Sequence, residues 1–139
     1  MSKLKEWIDS MVAGAPFGRH LGMKCVTLEE GRAVFEMPFA DHNVTVGEMV
    51  HGGAIAALVD ATATAAFWHT EKLPENPRGS TIGFTINYLN AAMAAALVCE
   101  AEVIRRGGSI HVADVWVRDD KGEPIARATV TYKLSAGRK

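Results

Sequence analysis

Apolar side chains at Leu4, Trp7, Ile8, Met11 and Val12 recur at the spacing of one helical face, which predicts a short amphipathic helix at the start of the chain. Gly14, Pro16 and Gly18 then break the pattern. After the turn-like EEGR, the stretch Ala33 to Pro38 (AVFEMP) reads as a strand, and FADHNVTVGEMV is polar and irregular. The next segment, MVHGGAIAALVDATATAAFW from Met49 to Trp68, is apolar nearly all round, as a helix enclosed by other elements must be. A loop rich in proline and charge, HTEKLPENPRGS, follows it. The rest is β-like. Ser80 to Leu89 alternates in part, Ala96 to Arg106 more clearly, and IHVADVWVRD and PIARATVTYKL follow, separated by RGGS and DDKGEP. Short turns favour antiparallel pairing, so the expected architecture is α+β, a single domain over 1–139 with residues 1–18 as an N-terminal helix and turn. Repeats, low-complexity tracts and linkers are absent from the sequence.

Composition narrows the function classes. Hydrophobic residues make up 48% and charged residues 22%, which is globular usage, and 139 residues suffice for a sizeable core. The formal net charge of −1 gives no field that would attract nucleic acid or an anionic membrane. Cys25 and Cys99 are far apart and MSKLKEWIDSMVAG is charged rather than leader-like, so two free thiols in a reducing cytoplasm are expected. The five histidines show no HExxH or paired Cys/His spacing, so no metal site is expected. The apolar run is too short for a bilayer span and carries a carboxylate.

That carboxylate, Asp60, is the sole charged side chain from Gly52 to Trp68. Burying it without partners costs several kcal/mol (roughly) or forces it to take up a proton. It is either a satisfied structural group, bonded to Thr64 one turn later or to backbone, or a general base or nucleophile with restricted access to solvent. His51, Gly52 and Gly53 stand where the helix starts, and glycines there are poor helix formers. They either make a tight turn, with His51 as its hydrogen-bonding brace, or leave the free N–H groups of the first turn open to a ligand. Those amides, with the helix dipole, suit an oxyanion. Gly52 and Asp60 are eight residues apart, about 12 Å along a helix at ~1.5 Å per residue. A reacting carbonyl must lie within about 3 Å of both oxyanion donor and base. One straight helix cannot satisfy that, so if both roles hold, the two groups come from antiparallel helices of a two-fold dimer.

HGGAIAALVDATATAAF, followed by STIGFTINYLNAA and EVIRRGGSIHVADVWVRDDKGEPIARATVTY, resembles the PaaI-type hotdog-fold acyl-CoA thioesterases from about Met37 to Leu134. The resemblance implies a long central helix wrapped by an antiparallel five- to six-stranded sheet, with sites at a homodimer interface and often a dimer of dimers, a homotetramer. It implies that the Gly52 amide polarises the thioester carbonyl while Asp60 of the other subunit activates water or attacks the acyl carbon. Thr64 and Thr81 would hold the water or the carboxylate, although β-branched packing accounts for either threonine equally well. Coenzyme A enters as part of the substrate, with no separate cofactor. Relatives often carry Asn six residues before the HGG histidine; Thr45 stands there here, Gly47 is shifted by one from its usual place, and Asn43 is taken to fill the orienting role. Asn87, Asn90 and Ala91 replace an acid, a base and a proline common in related sequences.

For the rest of the substrate, Gly53, Met49, Phe67 and Trp68 are expected to line the acyl site. Arg105 and Arg106 beside Gly107 and Gly108 suit a phosphate or, alternatively, form a solvated hairpin, with Arg78 and Lys121 weaker candidates. The expected reaction is hydrolysis of an aromatic or medium-chain acyl-CoA. The alternatives are a non-catalytic acyl-CoA-binding hotdog protein and a hotdog hydratase or dehydratase; the latter fits poorly, because His51 adjoins two glycines rather than ending a D-x-N-x-x-H stretch.

Overall fold

The computed structural model describes residues 2–138. Helix α1 (Ser2–Ile8) runs on through a π-helical turn, Asp9–Ala13, and buries Ile8 and Ala13. Trp7 and Met11, on the same apolar stripe, stay exposed at 44% and 58%. The expected break at Pro16 is instead the start of a second helix, α2 (Pro16–Leu21). Proline at the first helical position loses no hydrogen bond, and Gly22 closes α2 in the left-handed conformation at φ 72°. Gly18 fits because a Cβ there would come within 2.3 Å of the Ala13 carbonyl oxygen.

A hairpin of β1 (Lys24–Glu29) and β2 (Arg32–Met37) follows. The apolar pattern predicts β2 and misses β1. After the irregular segment comes α3 (Gly52–Trp68), then β3 (Pro77–Tyr88), β4 (Leu97–Arg106), β5 (Ile110–Asp119) and β6 (Pro124–Ala136). The six strands form one sheet in the order β1-β2-β4-β5-β6-β3, and every pairing is antiparallel. α3 lies on its concave face, with Leu58, Val59, Ala63, Ala66 and Phe67 fully buried among Phe35, Leu97, Val115 and Val130. The small side chains of the buried alanines along α3 suit close packing of the helix on the sheet. The opposite face of the sheet carries charged groups: Arg32 pairs with Glu100, Arg127 with Asp114 at 3.1 Å, and the Arg118 and Arg127 guanidinium groups each lie 5.0 Å from the centroid of the Trp116 ring. Among the described residues no helix is long and apolar enough to cross a membrane.

Candidate active site

Asp60 lies at the middle of α3, half-buried, on the side facing β3. Strand β3 would alternate strictly, but a bulge between Thr81 and Gly83 resets its phase, so that Thr81, Phe84 and Ile86 all turn inward. The Thr81 hydroxyl therefore reaches Asp60 and donates to Oδ1 at 2.6 Å. Of the two threonines, it is Thr81 that bonds the carboxylate; Thr64, one turn along the helix, is half-buried without that bond. Asp60 opens into a groove of about 370 Å³ between α3 and the N-terminal helices. Val12, Phe17, Gly53, Ala57, Ala61 and Phe84 are among its walls, and Asp60 is the one polar side chain in its lining. Behind it, Trp68 Nε1 donates to the Tyr132 hydroxyl at 2.7 Å. Burial pushes the Tyr132 phenol above its ordinary pKa, the Trp68 hydrogen bond opposes this, and the Asp60 charge adds to the rise.

The start of α3 is built from its own cap. His51 is extended (φ −64°, ψ 132°), and its Nδ1 accepts the Gly53 N–H at 2.7 Å. The His51 N–H donates to the Asn43 carbonyl at 2.8 Å, and the His51 carbonyl accepts from Ala54 and Ile55. Asn43 is buried. Its Nδ2 donates to the Pro38 carbonyl at 3.3 Å and its Oδ1 accepts from the Ala40 amide at 3.4 Å, so its side chain braces the loop that holds His51. The Gly53 amide is thus satisfied by the cap, whereas the Gly52 amide has no acceptor among the described residues. Gly52 borders a second groove, about 350 Å³, with Met49, Ile55, Tyr88, Leu89 and Asn90.

Asp60 and Gly52 thus border separate grooves of one protomer, although the neighbouring Gly53 lines the Asp60 groove. The expected wall residues divide. Met49 borders the Gly52 groove and Gly53 the Asp60 groove. Phe67, expected as a wall, is instead fully buried and stacked on Tyr132 with centroids 4.9 Å apart. Trp68 packs against Trp7 at 5.1 Å and lines neither groove.

Arg106, expected at a phosphate, turns inward and caps α3: Nη1 donates to the Phe67 carbonyl at 3.0 Å and Nη2 to the Ala66 carbonyl at 3.4 Å. Burial lowers its pKa while Glu30 opposes the shift. Arg105 stays exposed, its Nη1 3.5 Å from the Ile110 carbonyl. Arg78 lies in a polar groove with Ser80, Lys133 and Ser135, and Lys121 is in the exposed β5–β6 turn. Sequence reasoning overlooks Tyr88, whose hydroxyl donates to the Gly52 carbonyl at 2.7 Å. It ends a β-pattern as one more aromatic, and nothing local marks it.

Comparison with known proteins bears on the family and the fold. Residues 40–133 match the acyl-CoA thioesterase N-terminal domain family. The medium/long-chain acyl-CoA thioesterase YigI of Escherichia coli is 27% identical over 141 aligned positions, covering 91% of this chain and 90% of YigI. Among solved structures, a thioesterase family protein from Silicibacter pomeroyi superposes with a TM-score of 0.83 at 25% identity, over 96% of this chain and 99% of that one. The Escherichia coli PaaI protein from the phenylacetic acid degradation operon has the same fold, with a TM-score of 0.83 at 19% identity over 95% and 93% of the two chains. The six-stranded antiparallel sheet around one long helix is therefore the hotdog fold of the PaaI-type enzymes. The chain belongs to the acyl-CoA thioesterase family and is a thioester hydrolase.

Proposed function

We propose that the chain hydrolyses acyl-CoA thioesters at sites shared between two copies, each site combining Asp60 of one protomer with the Gly52 amide of the other. The observation that carries this reading is the division of one helix between two grooves, Asp60 with its Thr81 bond in one and the unpaired Gly52 amide in the other. Two antiparallel α3 helices bring unlike grooves together. The sheet offers the means: β3 pairs only with β6, leaving a 12-residue edge with Ile82 57% and Tyr88 50% exposed. A long unpaired edge with apolar side chains is a template for a second strand.

Asp60 acts as the base. Thr81 occupies Oδ1, which leaves Oδ2 for a water molecule. The water oxygen attacks the thioester carbonyl carbon as Asp60 takes its proton. Negative charge grows on the carbonyl oxygen and is met by the Gly52 N–H and the positive end of α3. Collapse of the tetrahedral intermediate breaks the C–S bond; the acid forms, and the thiolate leaves with a proton returned through Asp60. His51 and Asn43 hold the Gly52 peptide in place, and Thr64 lies one turn from the base. The apolar lining of the Asp60 groove suits a flexible aliphatic acyl chain, in keeping with the medium/long-chain name of YigI. Arg105 is the one of the two hairpin arginines free to meet a CoA phosphate.

The test is thiol release from a panel of aliphatic acyl-CoAs and phenylacetyl-CoA. Asp60→Asn keeps the shape of the side chain and removes the base, and should lower kcat about 100-fold or more. Aliphatic substrates should be preferred over phenylacetyl-CoA. Undiminished hydrolysis by Asp60→Asn would refute the assignment.

A further inference from the structure

We infer that Tyr88 is a positioning residue for the oxyanion donor: its hydroxyl and ring fix the Gly52 peptide so that the free Gly52 N–H points at the substrate carbonyl. This rests on the assignment of that amide to the carbonyl oxygen made above.

Gly52 needs an external restraint. A glycine has no side chain to limit its backbone, so rotation about its φ and ψ can turn the N–H away from its target. The preceding peptide is held at its carbonyl by the Ala54 and Ile55 amides. The following peptide is held at both ends, its N–H by His51 Nδ1 at 2.7 Å and its carbonyl by the Tyr88 hydroxyl at 2.7 Å. Of these restraints Tyr88 alone comes from another element, the far end of β3. Its ring also covers the glycine: a Cβ at Gly52 would lie 3.3 Å from Tyr88 Cζ and 3.4 Å from the hydroxyl oxygen. Tyr88 therefore acts as the side wall that Gly52 lacks. It leaves the N–H uncovered, because its hydroxyl is spent on the carbonyl of the next peptide.

A preorganised donor is worth more at the transition state than in the ground state, because charge on the oxygen appears only there. Loss of the hydroxyl should therefore lower kcat and leave KM nearly unchanged. Tyr88→Phe keeps the ring and removes the hydrogen bond; Tyr88→Leu removes both. With decanoyl-CoA, kcat should fall about five- to twentyfold in Tyr88→Phe and further in Tyr88→Leu, with KM within about twofold of wild type.

A second readout separates aim from stability. An analogue of decanoyl-CoA with CH2 in place of the thioester sulfur carries a ketone that cannot be hydrolysed. Its 13C-labelled carbonyl stretch, read by difference infrared spectroscopy, should shift to lower frequency on binding the wild type and about half as far on binding Tyr88→Phe. An unchanged shift with unchanged kcat in Tyr88→Phe would overturn the role of Tyr88. Absence of any shift in the wild type would instead overturn the assignment of the Gly52 amide itself.

Discussion

Replacing Arg106 with methionine distinguishes a helix cap from a phosphate ligand. The guanidinium donates to the carbonyls of Phe67 and Ala66, two of the last acceptors of α3, at 3.0 and 3.4 Å. A hydrogen bond from a charged donor contributes about 1.5–3 kcal/mol, and a cation at a helix C-terminus about 0.3–1 kcal/mol. The second bond is long, and the Glu30 contact at 4.0 Å, with Glu30 56% exposed, adds little. Methionine keeps most of the apolar stem, so packing losses are small. The net cost should be about 2 kcal/mol. For a chain of this size that corresponds to a fall in Tm of about 6–10 °C. Thermal and urea unfolding at fixed protein concentration measure it, beside the KM for decanoyl-CoA. The expected outcome is lower stability with unchanged KM, whereas Arg105→Met should leave stability within about 0.5 kcal/mol. An unchanged melting temperature together with a raised KM in Arg106→Met would refute the reasoning and return Arg106 to the coenzyme.

Two further outcomes follow from groups around the core. His111 is buried with its Nδ1 unpartnered among the described residues; burial lowers its pKa, the Leu134 carbonyl opposes this, and Arg106 and Arg105 add to the lowering. The unfolded chain therefore takes up this proton first, so the contribution of His111 to stability is complete above about pH 6.5 and is lost as the pH falls toward the native value; urea unfolding at pH 7.5 and 5.0 should show a smaller acid-induced loss in His111→Leu than in wild type. Thr81→Val removes the donor to Asp60 Oδ1 and should cut kcat about tenfold with little change in KM, and equal kcat would show that the bond does not orient the base.

Much of this architecture is legible in the chain because the signals are long. The long apolar run from Met49 to Trp68 marks α3 and its end at Trp68, with the start set three residues in by the His51 cap, and Asp60 stands out as the single charge from Gly52 to Trp68. The same uniformity hides phase: a helix apolar on every side does not show which residues face a groove, so Phe67 reads as a wall and is core. Strand β1 is missed because it is an edge strand with a register shift between Cys25 and Thr27, and only Leu28 is buried. Bulges mislead in the same manner at the site. In β4 the inward positions are Leu97, Cys99 and Ala101, but a shift between Val103 and Arg105 turns Arg106 inward and leaves Arg105 outside. Alternation cannot reveal such a reset. Pro16 and Gly18 read as breakers because their roles, a first helical position and a close backbone approach, exist only once the neighbouring turn is in place.

Subunit complementation tests the shared site most directly. Asp60→Asn removes the base. Gly52→Pro removes the amide N–H at the first helical position, where no helix hydrogen bond is lost and the preceding ψ of 132° already suits proline, and the Tyr88 ring, 3.3 Å from the added Cβ, must give way to it. Each variant alone should be nearly inactive. After the two are unfolded together in equal amounts and refolded, half of the dimers are mixed, and each mixed dimer holds one site with both Asp60 and the Gly52 amide intact. Activity should return to about a quarter of the wild-type value per protomer. A mixture no more active than its parents would contradict a site built from two chains.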